Sequence, residues 1–177
     1  MNTTAARKTL ISFILAAFFI AMSYVLANIS FFGTSIALDS LPAFLAALIL
    51  GVRYGAAVGA LGHMFTALLH GFPYTLPVHL LTALMMAVCM LAFGFVYGKL
   101  ASRSVTLACI VSGAVAVLIN GPVAVLVLSP LLLPMMGGWP ALLAFMGILS
   151  VAAAVNVAPV LAVYGILDKH IDFSRYI

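Results

Sequence analysis

The sequence is most informative in what it lacks: glutamate is absent, and three aspartates supply all the side-chain negative charge of 177 residues. Charged residues make up 6% of the chain, whereas a soluble domain carries about a quarter. So few charges cannot cover the surface of a globular domain in water. The missing glutamates also argue against two-carboxylate catalysis, and the chain has no nucleotide-binding P-loop, H-E-x-x-H or G-x-S-x-G motif. We therefore do not expect an enzyme.

Cysteine and basic clusters are scarce as well. Cys89 and Cys109 both lie inside apolar runs, where a small buried thiol is the more common role and a disulfide is not expected. The net charge of +4 comes from seven Lys and Arg residues that fall in small groups beside apolar runs. No basic patch forms, so nucleic acid is not an expected partner.

What the chain has in excess is apolar sequence. Hydrophobic residues make up 67% of it, and the mean hydropathy is +1.35. The runs are apolar on every face, unlike the alternating strands of a barrel, and a spanning helix needs about 20 such residues. We predict an all-α membrane protein in which residues 1–177 form one domain, a bundle of six transmembrane helices. Their predicted bounds are about 9–29, 41–52, 54–69, 76–97, 105–128 and 141–167.

The positive residues orient this bundle. A signal peptide is the alternative for the N-terminus, but the first apolar run is long enough to span and no A-x-A cleavage site follows it. With six crossings, every Lys and Arg falls on one side, and positive short loops stay cytoplasmic. Both termini are therefore predicted to be cytoplasmic, with loops 30–40, 70–75 and 129–140 outside. The residues on the positive side are Arg7, Lys8, Arg53, Lys99, Arg103, Lys169 and Arg175.

Polar side chains at membrane depth are costly and usually face a cavity or a partner. Under the predicted topology most of them lie in the outer half, which predicts a pocket that opens outward and not a continuous pore. A purely structural role stays open for each of these residues taken singly. His63 could be a core histidine, Asn120 could satisfy the backbone beside Pro122, and Tyr74 and Trp139 could be interfacial aromatics. The polar candidates are Asn28, Asp39, His63, Thr66, His70, Tyr74, Thr75, His79, Asn120 and Asn156.

Small residues form two patterns. Ala47, Gly51, Gly55 and Gly59 recur every four residues, which favours close packing of helices. A second small-xxx-small pair lies on the first helix, at residues 17 and 21. It is either an internal packing face or a docking face for another membrane subunit. A metal site is not expected, because His63 and His70 share a helical face but no third ligand is placed by spacing.

Together these features resemble the substrate-binding S components of energy-coupling factor (ECF) vitamin transporters, over nearly the whole chain. The resemblance implies six helices, both ends inside, an outward-facing pocket, and residence in a prokaryotic cell membrane. It also implies that Ala17 and Ala21 match the Ala-x-x-x-Ala patch that contacts the membrane coupling subunit, which joins two cytoplasmic ATPases. ATP would be used by those partners, and no cofactor is expected in this chain.

Within that family, several stretches look like the subgroup assigned to α-ribazole, the dimethylbenzimidazole riboside used in cobalamin assembly. These are Asn28 and residues 37–42 (ALDSLP), 59–63 (GALGH), 71–80 (GFPYTLPVHL) and 120–122 (NGP). The outer side carries no Lys or Arg, which argues against an anionic vitamin. The predicted ligand contacts are, in order, Asp39, His79 and Asn120, followed by Asn28, His63, Tyr74 and Trp139.

Other functions stay open from the sequence. The ligand could be another vitamin, such as cobalamin, pyridoxine, hydroxymethylpyrimidine or pantothenate. The chain could also be a solitary transporter that needs no ATPase, which a through-going line of polar residues would support. A membrane scaffold predicts no cavity, and an intramembrane enzyme lacks a visible nucleophile and base.

Overall fold

The structure is a computed structural model that describes residues 3–29 and 37–173. Its elements are helices, so the all-α prediction is confirmed for these residues. A π-helical turn, Ile119–Val123, joins α5 to α6, so that Val105–Met136 is one continuous helix and the described residues form six helices. The helix bounds are α1 Thr3–Leu26, α2 Leu41–Ile49, α3 Val52–Leu69, α4 Leu76–Ala101, α5 Val105–Leu118, α6 Ala124–Met136 and α7 Trp139–His170.

The predicted loop over residues 129–140 is wrong. The helix runs through Pro130 and Pro134 to Met136, and only Gly137 and Gly138 separate α6 from α7. Pro130 has no N–H to donate to the carbonyl of Leu126, and the Ser129 hydroxyl donates to that oxygen instead, at 2.7 Å. Proline is tolerated in apolar helices when a nearby hydroxyl satisfies the freed carbonyl in this way. Both glycines have positive φ, at 80° and 114°, which makes the sharp turn possible.

The predicted bounds of four other helices differ from the structure by smaller amounts. The second helix stops at Ile49 because Gly51, with φ of 97°, turns the chain directly into α3. The first helix begins at Thr3 and ends at Leu26, and the fourth and the last continue to Ala101 and His170. Most of the first predicted outer loop, residues 30–36, and Arg175 lie outside the described residues.

Four helical stretches are long and apolar enough to cross a membrane: Ala5–Leu26, Leu76–Ala101, Val105–Met136 and Trp139–Asp168. The helix α2 has nine residues, and at about 1.5 Å per residue it is too short to cross alone. The helix α3, with 18 residues, also falls outside this set. The chain is therefore a multi-helix membrane protein, while six crossings and cytoplasmic termini stay predictions.

The short helix α2 occupies the centre of the bundle, where it packs against α1, α3, α4 and α7. Phe44 of α2 meets Phe93 of α4 edge to face, with ring centroids 5.0 Å apart, and both side chains are fully buried. Gly55 of α3 crosses Ala47 so closely that a Cβ at position 55 would lie 2.5 Å from the Ala47 Cα. Ala47, Gly55 and Gly59 of the predicted small-residue face thus pack inside the bundle, whereas Gly51 is exposed in the turn between α2 and α3.

Candidate ligand-binding cavity

One end of the bundle encloses a cavity of about 700 Å³. It lies between the end of α1, the start of α2, the end of α3, the start of α4, the π-helical turn, α6 and the first half of α7. Small-molecule pockets range from about 300 to 1,000 Å³. Arg53 is in the first turn of α3 and Lys99 in the last turn of α4. The positive charges therefore lie at the opposite end of the same helices, as the sequence pattern predicts.

Five of the seven predicted ligand contacts line this cavity: Asp39, His63, Tyr74, His79 and Asn120. They come from four separate parts of the chain. They therefore converge in one cavity, as the prediction of a shared pocket for the outer-half polar residues requires.

Asn28 and Trp139 are placed elsewhere. Asn28 is exposed at the end of α1, where its side-chain amide donates to the carbonyl of Tyr24 at 3.0 Å. Trp139 is 51% exposed at the first position of α7. That exposure fits the alternative role of an interfacial aromatic.

The cavity has two chemically different walls. The wall formed by α3 and α4 carries His63, Thr66 and His79, and Asp39 adds a carboxyl from the segment before α2. The wall from α6 and α7 is mainly apolar and is built around Leu132, with Asn120 of the π-helical turn and Asn156 of α7 as its polar members. No Lys or Arg is among the described residues that line the cavity. The remaining members of the apolar wall are Leu128, Phe145, Ile148 and Leu149.

The loop between α3 and α4 is fixed at both ends. At its start, the N–H of Gly71 donates to Leu68 and the N–H of Phe72 donates to Ala67, at 3.2 and 2.8 Å. This pair of bonds is a Schellman motif, and it requires the positive φ of Gly71 (70°). At the other end the Thr75 hydroxyl caps α4 by accepting from the N–H of Val78.

This fixed loop determines the surroundings of His79. Phe72 meets the imidazole of His79 edge to face, with ring centroids 5.6 Å apart. On the other side His63 Nε2 lies 3.2 Å from His79 Nδ1. His79 is only 8% exposed, and its Nε2 is buried without a hydrogen-bond partner among the described residues. One imidazole nitrogen is thus left for whatever occupies the cavity.

Asn156 is a residue of the site that the sequence did not single out as a contact. Its Oδ1 accepts from the N–H of Leu41 at 2.7 Å, and its Nδ2 donates to the carbonyls of Ala37 and Ala152 at 2.7 and 2.9 Å. It is 1% exposed. The sequence signal for this residue was a polar amide at membrane depth. Its partners could not be identified from the sequence, because they lie 115 and 119 residues away. Asn156 therefore fastens the segment that carries Asp39 to α7.

Asp39 lies in that segment, outside the helices. Burial raises the pKa of its carboxyl to about 6, against the lowering effects of the backbone N–H groups of Asp39 and Ser40 and of nearby His70. A carboxyl with this pKa is in large part neutral at mildly acidic pH. It can then donate as well as accept a hydrogen bond.

Asn120 enters the cavity from the π-helical turn. Such turns are rare and frequent at functional sites. The next residue, Gly121, lies so close to α7 that a Cβ there would be 2.9 Å from the Cα of Ser150. The amide of Asn120 makes no hydrogen bond to the described residues, so it does not take the backbone-satisfying role that the sequence left open beside Pro122.

The small pair on α1 faces outward. Ala17 and Ala21 are exposed, whereas the neighbouring Ala16 and Phe19 are buried in the core. Large apolar side chains surround the pair on the same face, including Phe13 and Phe18, each about 60% exposed. The pair is therefore not used for packing within the described bundle.

Most of the chain matches a known protein family. The family "ECF transporter, substrate-specific component" matches residues 11–167. The chain belongs to this family. S components are transporter subunits and not enzymes, and membership implies association with an ECF module and a small-molecule ligand. Comparison with curated proteins and with solved structures gives no match.

Proposed function

We propose that this S component captures a small, uncharged, ring-containing nucleoside-like nutrient, with α-ribazole as the best candidate, from the outer face of the membrane. The observation that carries the proposal is the two-walled cavity of about 700 Å³, with hydrogen-bonding groups concentrated on one wall, mainly apolar side chains on the other and no Lys or Arg among its described lining residues. A ligand that fills it must itself be polar on one side and apolar on the other.

The chemistry of each wall fits one part of such a ligand. Phe145 and Tyr74, with ring centroids 6.0 Å apart, offer aromatic surfaces to a planar heterocycle. Asp39, His79 and Asn120 offer hydrogen bonds to ribose hydroxyls and to a ring nitrogen. An anionic vitamin would be desolvated with no cation to pair with, which is costly. This argues against pantothenate.

A solitary transporter is less well supported. Below the cavity the bundle is closed by an apolar core in which Phe44, Met90 and Phe93 are completely buried. A transporter that acts alone needs a polar path to the other side, and this core interrupts it. The proposed route therefore uses energy from a partner module with two ATPases.

A ligand screen tests the binding function. Purified protein in detergent is melted with α-ribazole, cobalamin, pyridoxine, hydroxymethylpyrimidine or pantothenate. We expect α-ribazole to raise the melting temperature, because a ligand that binds only the folded state stabilises it by mass action. A shift with another vitamin alone would reassign the substrate, and no shift with any of them would contradict the proposal.

The docking function of α1 has a separate test. We expect the double change Ala17→Leu and Ala21→Leu to abolish uptake in cells that hold the partner module, while ligand binding by the purified protein stays unchanged. The matched control is Ala57→Leu with Ala114→Leu, two other exposed alanines, on α3 and α5. Equal loss of uptake in both double variants would contradict a docking role for the α1 pair.

A further inference from the structure

Two buried polar atoms in the cavity have no hydrogen-bond partner in the part of the chain that the structure describes: His79 Nε2 and Thr66 Oγ1. Both residues line the cavity. An unpaired buried polar atom is costly, and native structures seldom keep one without a reason. Two of them in one cavity indicate a group that arrives from outside the protein.

The Thr66 hydroxyl differs in its hydrogen bonding from the other threonine of the cavity. A threonine inside a helix usually donates to the carbonyl four residues before it, as Thr82 does to Val78 at 2.8 Å. Thr66 makes no such bond, and its own carbonyl accepts from His70 Nδ1 at 2.9 Å. Thr82 lines the same cavity. The chain thus contains two cavity threonines, one satisfied by its helix and one left open.

The hydrogen bond between His63 and His79 determines whether His79 Nε2 is a donor or an acceptor in the cavity. In the bond between His63 Nε2 and His79 Nδ1 one nitrogen donates and the other accepts. If His63 donates, His79 carries its proton on Nε2 and offers a donor to the cavity. If His79 donates, its Nε2 offers a lone pair. Both arrangements are neutral, so the pair can meet a donor or an acceptor without burying a charge.

The relative position of these groups follows from the helices. Thr66 is three residues after His63, so both lie on the same side of α3, and His63 touches His79 of α4. The polar atoms therefore form one corner of the cavity, while α6 and α7 supply the apolar wall.

We propose that Thr66 Oγ1 and His79 Nε2 form the hydrogen-bonding contact for the ligand, with His63 as a positioning residue that sets the tautomer of His79. This inference rests on the proposed binding function and narrows its ligand class. The ligand is a neutral heterocycle with one apolar side. Its opposite edge carries a hydrogen-bonding heteroatom, which is a ring nitrogen or a hydroxyl.

The central test compares Thr66→Val with Thr9→Val by titration calorimetry with α-ribazole. We expect about 10- to 100-fold weaker binding for Thr66→Val, since the ligand loses a buried hydrogen bond. Thr9 does not line the cavity, and its hydroxyl donates to the carbonyl of Ala5 at 3.0 Å. Thr9→Val should therefore bind within about threefold of wild type, and Thr66→Ser should restore most of the affinity. Without ligand, Thr66→Val should melt at or above the wild-type temperature, because it removes an unpaired buried hydroxyl.

The roles of His79 and His63 are tested with two ligands that differ in one ring atom and with a substitution that should restore binding. Wild type should prefer α-ribazole by about tenfold or more over an analogue in which C–H replaces the imine ring nitrogen, and His79→Leu should lose that preference. His63→Leu should weaken binding, whereas His63→Gln, whose amide can donate or accept toward His79, should keep it within a few-fold. A merely structural histidine would not be rescued by the amide.

The outcomes separate the two proposals. A wild-type protein that binds no member of the vitamin panel contradicts the proposed function. A wild type that binds, together with equal affinities for Thr66→Val and Thr9→Val or an unchanged ligand preference in His79→Leu, overturns the recognition pair and leaves the binding function intact.

Discussion

Replacing Asn156 by leucine should show how far the site depends on one buried amide. The substitution preserves most of the volume but removes three hydrogen bonds, those to Leu41, Ala37 and Ala152. The N–H of Leu41 and the carbonyl of Ala37 each lose the partner that Asn156 supplies. Each such loss costs about 1–3 kcal/mol. For the two groups together we expect a loss of about 2–6 kcal/mol.

This loss is large beside the total stability of a protein of this size, about 5–15 kcal/mol. At roughly 2–4 °C per kcal/mol it corresponds to a fall in melting temperature of about 4–24 °C. Unfolding can be followed with a thiol-reactive dye in a Cys109→Ser background, because Cys89 is completely buried in the folded state whereas Cys109 is only partly buried. Ligand affinity should fall as well, since Asp39 is no longer held at the cavity. Asn156→Asp should be intermediate, because at this buried position the carboxyl is protonated, so that it keeps the acceptor for Leu41 and one donor but loses the other.

Asn28→Leu is the matched control. Its side-chain amide donates only within its own helix end, to Tyr24 and Val25, and it is exposed. We expect a change within about 0.5 kcal/mol. If Asn156→Leu melts within 2 °C of this control and binds ligand equally well, the reasoning about the fastened segment is refuted.

Three further predictions concern packing, pH and topology. Gly55→Ala should destabilise by about 1–3 kcal/mol, because its Cβ would collide with the backbone of Ala47, whereas Gly147→Ala, which meets no atom within 4 Å, should be neutral or stabilising in thermal melts. The pKa of Asp39 is raised from 3.8 to about 6, so the folded state holds the Asp39 proton more tightly than the unfolded chain does. The contribution of Asp39 to the free energy of unfolding should therefore fall as the pH rises from about 4 to 6 and stay level above pH 6. Asp39→Asn should lack this decline. Reporter fusions at both termini should report the cytoplasm, and a periplasmic or extracellular signal from either would contradict six crossings.

Much of the cavity follows from where the chain places its polar residues. A polar side chain in an apolar helix must face protein or a cavity, and five of the seven predicted contacts do line one cavity. Asn28 and Trp139 fail this rule because each lies at a helix end, where the amide can bond its own helix and the indole can reach the interface. Helix ends satisfy polar groups locally, so their sequence carries little information about the cavity.

The local irregularities were less accessible. Pro130 and Pro134 indicated a loop, but the Ser129 hydroxyl replaces a missing donor and the helix continues. The π-helical turn at Asn120 arises where Gly121 packs onto Ser150. That contact depends on the approach of two helices and has no signature in either one alone.

The sequence by itself determined that this chain is a helical membrane protein, because a 6% charged composition and apolar runs are compatible with lipid and with little else. It also determined that polar residues gather away from the positive end. Only the tertiary structure decided which of them meet. The fastening of residue 41 by Asn156, the histidine pair and the open hydroxyl of Thr66 all depend on contacts between helices. Such contacts are set by the packing of the whole bundle, whereas periodicity and hydropathy describe one helix at a time.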